Sequence, residues 1–229
     1  MFGSGRAVPD ANAVTFDDYV RDVGEWVNAI RVRTGAECVW VLGHSEGGLV
    51  ALAAATEVDH ICGLILVATP GRPLGDVLKA QLCANTANKS LLDAANHAID
   101  ELSKGRPVDA TTLPPALAPL FNTIVQGFMI SVIALDPAVL IIKSTRPTLI
   151  LQGQRDLQVS VADAERLKQA APQATIVIVP NTNHVLKQVA SDDRSENLAT
   201  YAAADLPLAP GVSDAIVRFV KPCCDTMDR

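Results

Sequence analysis

Residues 38–57 read CVWVLGHSEGGLVALAAATE, and this stretch decides the fold. Residues 38–42 are a short apolar run bounded by turn residues, the pattern of a strand buried on both faces. Gly43 to Gly48 make a sharp turn. Residues 49–57 continue as an alanine-rich helix whose small side chains let it lie close to a sheet. A second apolar run, 64–68, comes next and is ended by Thr69-Pro70-Gly71. Strand, turn, helix and strand in direct succession predict a parallel pair.

Upstream, residues 1–14 read as loop. Thr15 offers an N-cap with Asp17 and Asp18 in the first turn, and Phe16, Tyr19, Val20, Val23, Val27 and Ile30 form an apolar stripe that Gly35 ends. Downstream the rhythm changes. Residues 72–145 contain no convincing strand; helices are expected at 77–83, 91–103, 116–120, 124–135 and 138–143, with breaks at Gly105-Arg106-Pro107 and Pro114-Pro115. Alternation then resumes with a strand at 148–151, a helix at 161–170 and a strand at 175–179. A polar, proline-bearing stretch at 190–211, a closing helix at 212–220 and a tail at 221–229 complete the chain. The expected architecture is α/β: a core of 1–71 and 146–229 around a parallel sheet of about four strands, with 72–145 inserted as a helical cap over one end.

Composition narrows the class. With 49% apolar and 19% charged residues, the 229-residue chain is no disordered segment. Nineteen Lys and Arg against 25 Asp and Glu give a net charge of −6, which argues against nucleic acid and against an anionic membrane surface as partners. The longest apolar run, 120–142, is interrupted by Asn122, Gln126, Asp136 and Pro137, so no membrane span is expected. The opening MFGSGRAVPD lacks the charged and apolar regions of a signal peptide. Five cysteines, an odd number spread thinly, do not read as a disulfide framework. Cys38 and Cys62 are expected as small buried hydrophobes. Cys223 and Cys224, adjacent and without nearby histidines, make a poor metal site. The expectation is a reducing, cytoplasmic setting with no metal.

Gly43-His44-Ser45-Glu46-Gly47-Gly48 fits G-x-S-x-G between a strand and a helix. A serine on such a turn projects its hydroxyl above the sheet, Gly43 and Gly47 sparing the turn a clash. The helix N-terminus aims its dipole at the site, and the backbone N–H of Glu46 is a candidate oxyanion donor, its side chain expected to be exposed. A serine nucleophile needs a base and an orienting acid. Of four histidines, His44 is badly directed for the adjacent serine but can line the site, His60 precedes a strand at the far end, and His97 lies in the cap. His184 comes after the strand 175–179, at the same sheet end as Ser45. Asp156 comes after the strand 148–151. Its rival Asp136 precedes Pro137 and reads as a helix N-cap; Asp192 and Asp193 lie in a polar loop.

The chain order Ser45, Asp156, His184 resembles the α/β-hydrolase superfamily, on GHSEGG at 43–48, LILQGQRDLQV at 149–159 and IVPNTNHVL at 178–186. The resemblance implies a nucleophile at Ser45, a general base and acid at His184, an orienting acid at Asp156 and no cofactor. It also implies about four strands ahead of residue 38, of which residues 1–35 supply none, and a second oxyanion donor from a loop without counterpart here. The front of the fold is therefore expected to be truncated, leaving the strand 38–42 open to a homodimer or to cover by residues 1–14.

Phe121, Ile124, Val125, Phe128 and Met129 fall at helical spacing in the cap and are candidate substrate-lining residues, with packing onto the core the competing role. The function these features suggest is hydrolysis of carboxylic esters, small-molecule substrates with short acyl chains, through an acyl-enzyme. A peptidase or amidase on the same scaffold and a non-catalytic truncated hydrolase are the alternatives.

Overall fold

A computed structural model describes residues 10–191 and 193–224. Helix α1 (Phe16–Thr34) leads into strand β1 (Val39–His44), helix α2 (Glu46–Glu57) and strand β2 (Ile61–Val67). Helices α3 (Leu74–Ala84), α4 (Leu92–Ser103), α5 (Gln126–Ile133) and α6 (Pro137–Lys143) come next, before strand β3 (Thr148–Gly153), helix α7 (Val161–Ala170) and strand β4 (Thr175–Val179). Helices α8 (Arg194–Ala199) and α9 (Val212–Cys224) complete the order. The four strands form one sheet in the order β1-β2-β3-β4, every pair parallel, as the strand–helix alternation predicts.

Side chains alternate across the pleat. Val39, Val41, Leu64, Leu66, Ile150, Ile176 and Ile178 join a core against α1, α2, α6 and α7. Trp40, Ile65, Val67, Leu149, Leu151, Val177 and Val179 pack on the other face, largely against α9. The alanines of α2 are buried, letting the helix sit tight on the sheet. Thr15 and Asp18 close a capping box at the start of α1, and Gly35 ends it at φ 73°.

Helices α3 to α5 and the turns between α4 and α5 carry a third core built on Ala95, Ile99, Leu102, Leu117, Phe121 and Ile133, while α6 belongs to the first core. The block is tied to the sheet by polar links. Arg72 Nε and Nη2 reach the two carboxylate oxygens of Asp163, in the first turn of α7, at 2.8 and 3.0 Å. Gln81 Nε2 donates to the Gln158 backbone oxygen at 3.0 Å.

Several expectations need correction. Residues 116–120 are a run of turns rather than a helix, because Pro114, Pro115 and Pro119 remove three amide donors within six residues. The stretch 190–211 holds α8, capped by the Asp193 carboxylate accepting from Glu196 N at 2.8 Å; Asp192 lies outside the described residues. The tail's first residues, 221–224, continue α9, and 225–229 lie outside the description. Residues 10–14 lie against α5, where Asn12 Oδ1 accepts from Gly127 N at 2.7 Å; the rest of the stretch 1–14 is outside the description. Strand β1 has a neighbour on one side among the described residues, as expected of 38–42.

Cys38 and Cys62 are not small buried hydrophobes. They are half-buried and joined by a disulfide, with Cα atoms 5.1 Å apart. They flank the pair Val39 and Ile61 at the amino end of the two strands, where the register shifts so that Trp40 faces Gly63 and Cys62 is the extra residue. The bond removes the basis for reading a reducing compartment from these cysteines. Among the described residues, no single helix is long and apolar enough to cross a membrane.

Candidate active site

Ser45, Asp156 and His184 all lie just past the carboxyl ends of strands, Ser45 after β1, Asp156 after β3 and His184 after β4. Ser45 sits at φ 54°, a left-handed conformation rare for a residue with a Cβ. Its N–H donates to the Val67 oxygen at 2.8 Å, and its own oxygen accepts from Gly48 N at 2.9 Å, so the turn is pinned from both sides. The turn needs a glycine at position 43, where a Cβ would stand 2.3 Å from the Gly47 oxygen. Gly47 itself faces open space, against the expectation that both glycines relieve a clash.

His184 Nδ1 lies 2.8 Å from Asp156 Oδ2. The side chains are 6% and 0% exposed, so the contact is shielded from water. A carboxylate accepts only, which places the imidazole proton on Nδ1 and leaves Nε2 with a lone pair. Asp156 is oriented in turn: its Oδ1 accepts from the N–H groups of Gln158 at 2.7 Å and Val159 at 2.9 Å, and its Oδ2 accepts from Gln152 Nε2 at 3.1 Å. Tyr201 stands near this cluster; burial pushes its hydroxyl up first, with the Asp156 charge adding to it.

The loop bearing His184 reaches back over the sheet. Gly153 permits this, because a Cβ there would stand 2.4 Å from the Thr182 oxygen. Asn183, fully buried, anchors the loop by donating to Thr200 Oγ1 at 2.6 Å and accepting from Lys187 N at 2.9 Å. His44 Nε2 lies 2.8 Å from the His184 backbone oxygen, and the two rings are 4.8 Å apart.

The rivals fall elsewhere. Asp136 caps α6 by accepting from Ala138 N at 3.0 Å and pairs with Arg166 at 2.7 Å. His60 is exposed at the amino end of β2, and His97 is exposed on α4. Glu46 departs from expectation: its side chain is not fully exposed, and burial pushes its carboxyl up from the usual carboxylate range. The candidate lining residues do not form one wall. Phe121 is completely buried in the core of the helical block, with Met129 packed beside it. Phe128 stacks edge-on against Tyr19 of α1 at 5.2 Å, and Ile124 and Val125 are exposed. No group of three or more potential metal ligands occurs among the described residues. Sequence reasoning passed over Gln152 and Gly153; the signal for Gln152 is a lone amide at the end of the apolar strand LIL.

The pattern of the Alpha/beta hydrolase family matches residues 2–200. Esterase EstD of Thermotoga maritima is 26% identical over 178 residues, 74% of this chain and 40% of that protein, so the chain spans less than half of that relative's length. Among solved structures, a thermophilic esterase from Thermogutta terrifontis is similar with a TM-score of 0.54 at 19% identity, over 97% of this chain and 77% of its own. A lipase-esterase related protein from Clostridium acetobutylicum reaches 0.53 at 14% identity, over 95% and 79%. These two likenesses speak for the fold. The family pattern runs through the serine turn, the Asp156 loop and the His184 loop and covers most of the sequence: the chain belongs to the alpha/beta hydrolase family.

Proposed function

We propose that this chain is a serine hydrolase of carboxylic esters, with Ser45 as nucleophile, His184 as general base and acid, and Asp156 as the acid that orients it. Ser45 Oγ attacks the ester carbonyl while His184 Nε2 takes its proton, and the imidazolium so formed is stabilised by Asp156. The tetrahedral oxyanion is met by the Glu46 N–H and the positive end of α2. His184 returns the proton to the leaving alcohol, an acyl-enzyme remains, and water activated by His184 releases the acid. No cofactor takes part in these steps.

The observation that carries the reading is the shielded contact between His184 Nδ1 and Asp156 Oδ2 at the sheet end where Ser45 is held at φ 54°. EstD and the Thermogutta terrifontis protein, both named as esterases, support the ester as substrate class. We read residues 72–145 as a cap over this end, because Gln81 of α3 bonds the oxygen of Gln158 in the Asp156 loop. The test is turnover of nitrophenyl esters of increasing acyl length by the parent and by Ser45→Ala. Turnover that favours short acyl chains and falls by several orders of magnitude in the variant is expected; turnover within tenfold of the parent contradicts the assignment.

A further inference from the structure

Gln152, in β3, is 1% exposed, and its Nε2 has three acceptors in reach. They are the Gly153 oxygen at 3.1 Å, the Val159 oxygen at 2.9 Å and Asp156 Oδ2 at 3.1 Å. The three oxygens fix the amide's orientation, since the reverse would set Oε1 against all of them. As it stands, Oε1 is the one buried side-chain polar atom without a partner among the described residues. An unpaired buried carbonyl carries a desolvation cost that an aliphatic side chain at this place would not carry.

The amide bonds the same oxygen that faces His184 Nδ1. The other oxygen of Asp156 is held by backbone N–H groups of its own loop. Gln152 and His184 are therefore the side chains that hydrogen-bond Oδ2 among the described residues. We infer that Gln152 is a positioning residue, which fixes the plane of the Asp156 carboxylate toward His184 and withdraws charge from Oδ2. The inference rests on Ser45, Asp156 and His184 acting as proposed above. Among the described residues, titratable groups beside the pair include His44, its ring 4.8 Å from that of His184, and Tyr201, which feels the charges of Asp156 and Arg194.

Two variants separate positioning from support of the loop. Gln152→Met removes the donor. The carboxylate gains freedom, so kcat falls about tenfold with KM unchanged. Oδ2 then carries more charge and stabilises the imidazolium better, so the acid limb of kcat/KM moves up by about half a pH unit. Gln152→Glu keeps the size. Its protonated carboxyl donates the same bond, but its ionised form sets a negative charge against the Asp156 carboxylate and against the negative ends of the Gly153 and Val159 carbonyl dipoles. Relative to the parent, activity of the Met variant therefore rises with pH and that of the Glu variant falls.

The experiment measures kcat and KM for nitrophenyl acetate on the three proteins from about pH 5 to about pH 9, with thermal melts to check folding. Opposite slopes are the expected result. Flat ratios with melting changes alone assign the amide to the loop carbonyls and overturn the inference. If the Met variant does not fold, a flat ratio for the Glu variant alone overturns it. A parent whose Ser45 takes no fluorophosphonate label instead defeats the functional reading. Even then, the NMR resonance of the His184 Nδ1 proton reads the contact without turnover. It moves downfield in whichever folded variant weakens the donor; an unmoved resonance overturns the inference.

Discussion

His44 Nε2 lies 2.8 Å from the backbone oxygen of His184, joining residues 140 positions apart. His44 ends β1 and His184 comes after β4, the two outer strands of the sheet, so the contact spans the carboxyl end of β2 and β3. A carbonyl accepts, so Nε2 carries the proton. The bond steadies the His184 backbone rather than moving protons itself. His44→Ala is expected to lower kcat for nitrophenyl acetate about fivefold, the worth of about one hydrogen bond, with little change in KM. His44→Gln keeps a donor within reach and recovers most of the loss. Unchanged kcat in the alanine variant refutes this role.

On the roles proposed above, the two aspartates divide chemistry from stability. Asp156→Asn sets the wrong His184 tautomer and is expected to cost roughly 10³–10⁴ in kcat while the protein stays folded. Asp136→Asn weakens the cap of α6 and its pairing with Arg166, which costs about 1 kcal/mol in denaturant titrations and leaves turnover near the parent's. A larger rate loss from Asp136→Asn would reassign the acid.

Asp163 makes stability depend on pH. Burial pushes its carboxyl up, but hydrogen bonds from Arg72 and Ser160 and the Arg72 charge outweigh that and hold it below the usual carboxylate range. A carboxyl lowered on folding adds stability above its unfolded value of about 4, and the gain is lost as pH falls through the lowered folded value. Asp163→Asn is expected to lower stability by about 2 kcal/mol at pH 7, the third-exposed Arg72 head regaining some water. The gap between parent and variant closes in acid. A gap constant with pH would show that the ion pair contributes nothing.

The disulfide closes a loop of sequence separation 24 that contains Ser45 yet lies at the opposite end of β1 from it. Replacing Cys38 and Cys62 together by serine is expected to cost about 3 kcal/mol through the unfolded chain. Turnover per folded molecule should be unchanged. Melting curves and kinetics on the same samples decide; a loss of kcat with unchanged stability contradicts this account.

The alternation of strands and helices and the placing of Ser45, Asp156 and His184 past the carboxyl ends of strands were legible because each rests on local pattern: apolar runs, turn residues and the loop at a strand's carboxyl end. The features that were not legible depend on strands meeting. The need for Gly153 arises from Thr182, nearly thirty residues away, crossing the end of β3. Cys38 and Cys62 meet where the β1–β2 register shifts at the amino end of the strands, which no odd cysteine count reveals. Glu46 reads as a surface residue at a helix start, where the dipole favours its charge; burial wins instead and raises it. The turns at 116–120 were available from Pro119, whose effect the apolar pattern masked.

The most direct test of the central claim is mass spectrometry of the parent, Ser45→Ala and His184→Ala after treatment with a fluorophosphonate. Only a serine activated by a base reacts at a useful rate. One adduct per chain, located on Ser45 and lost in both variants, is the predicted result. An unlabelled parent, or labelling that survives in His184→Ala at the parent's rate, would contradict it.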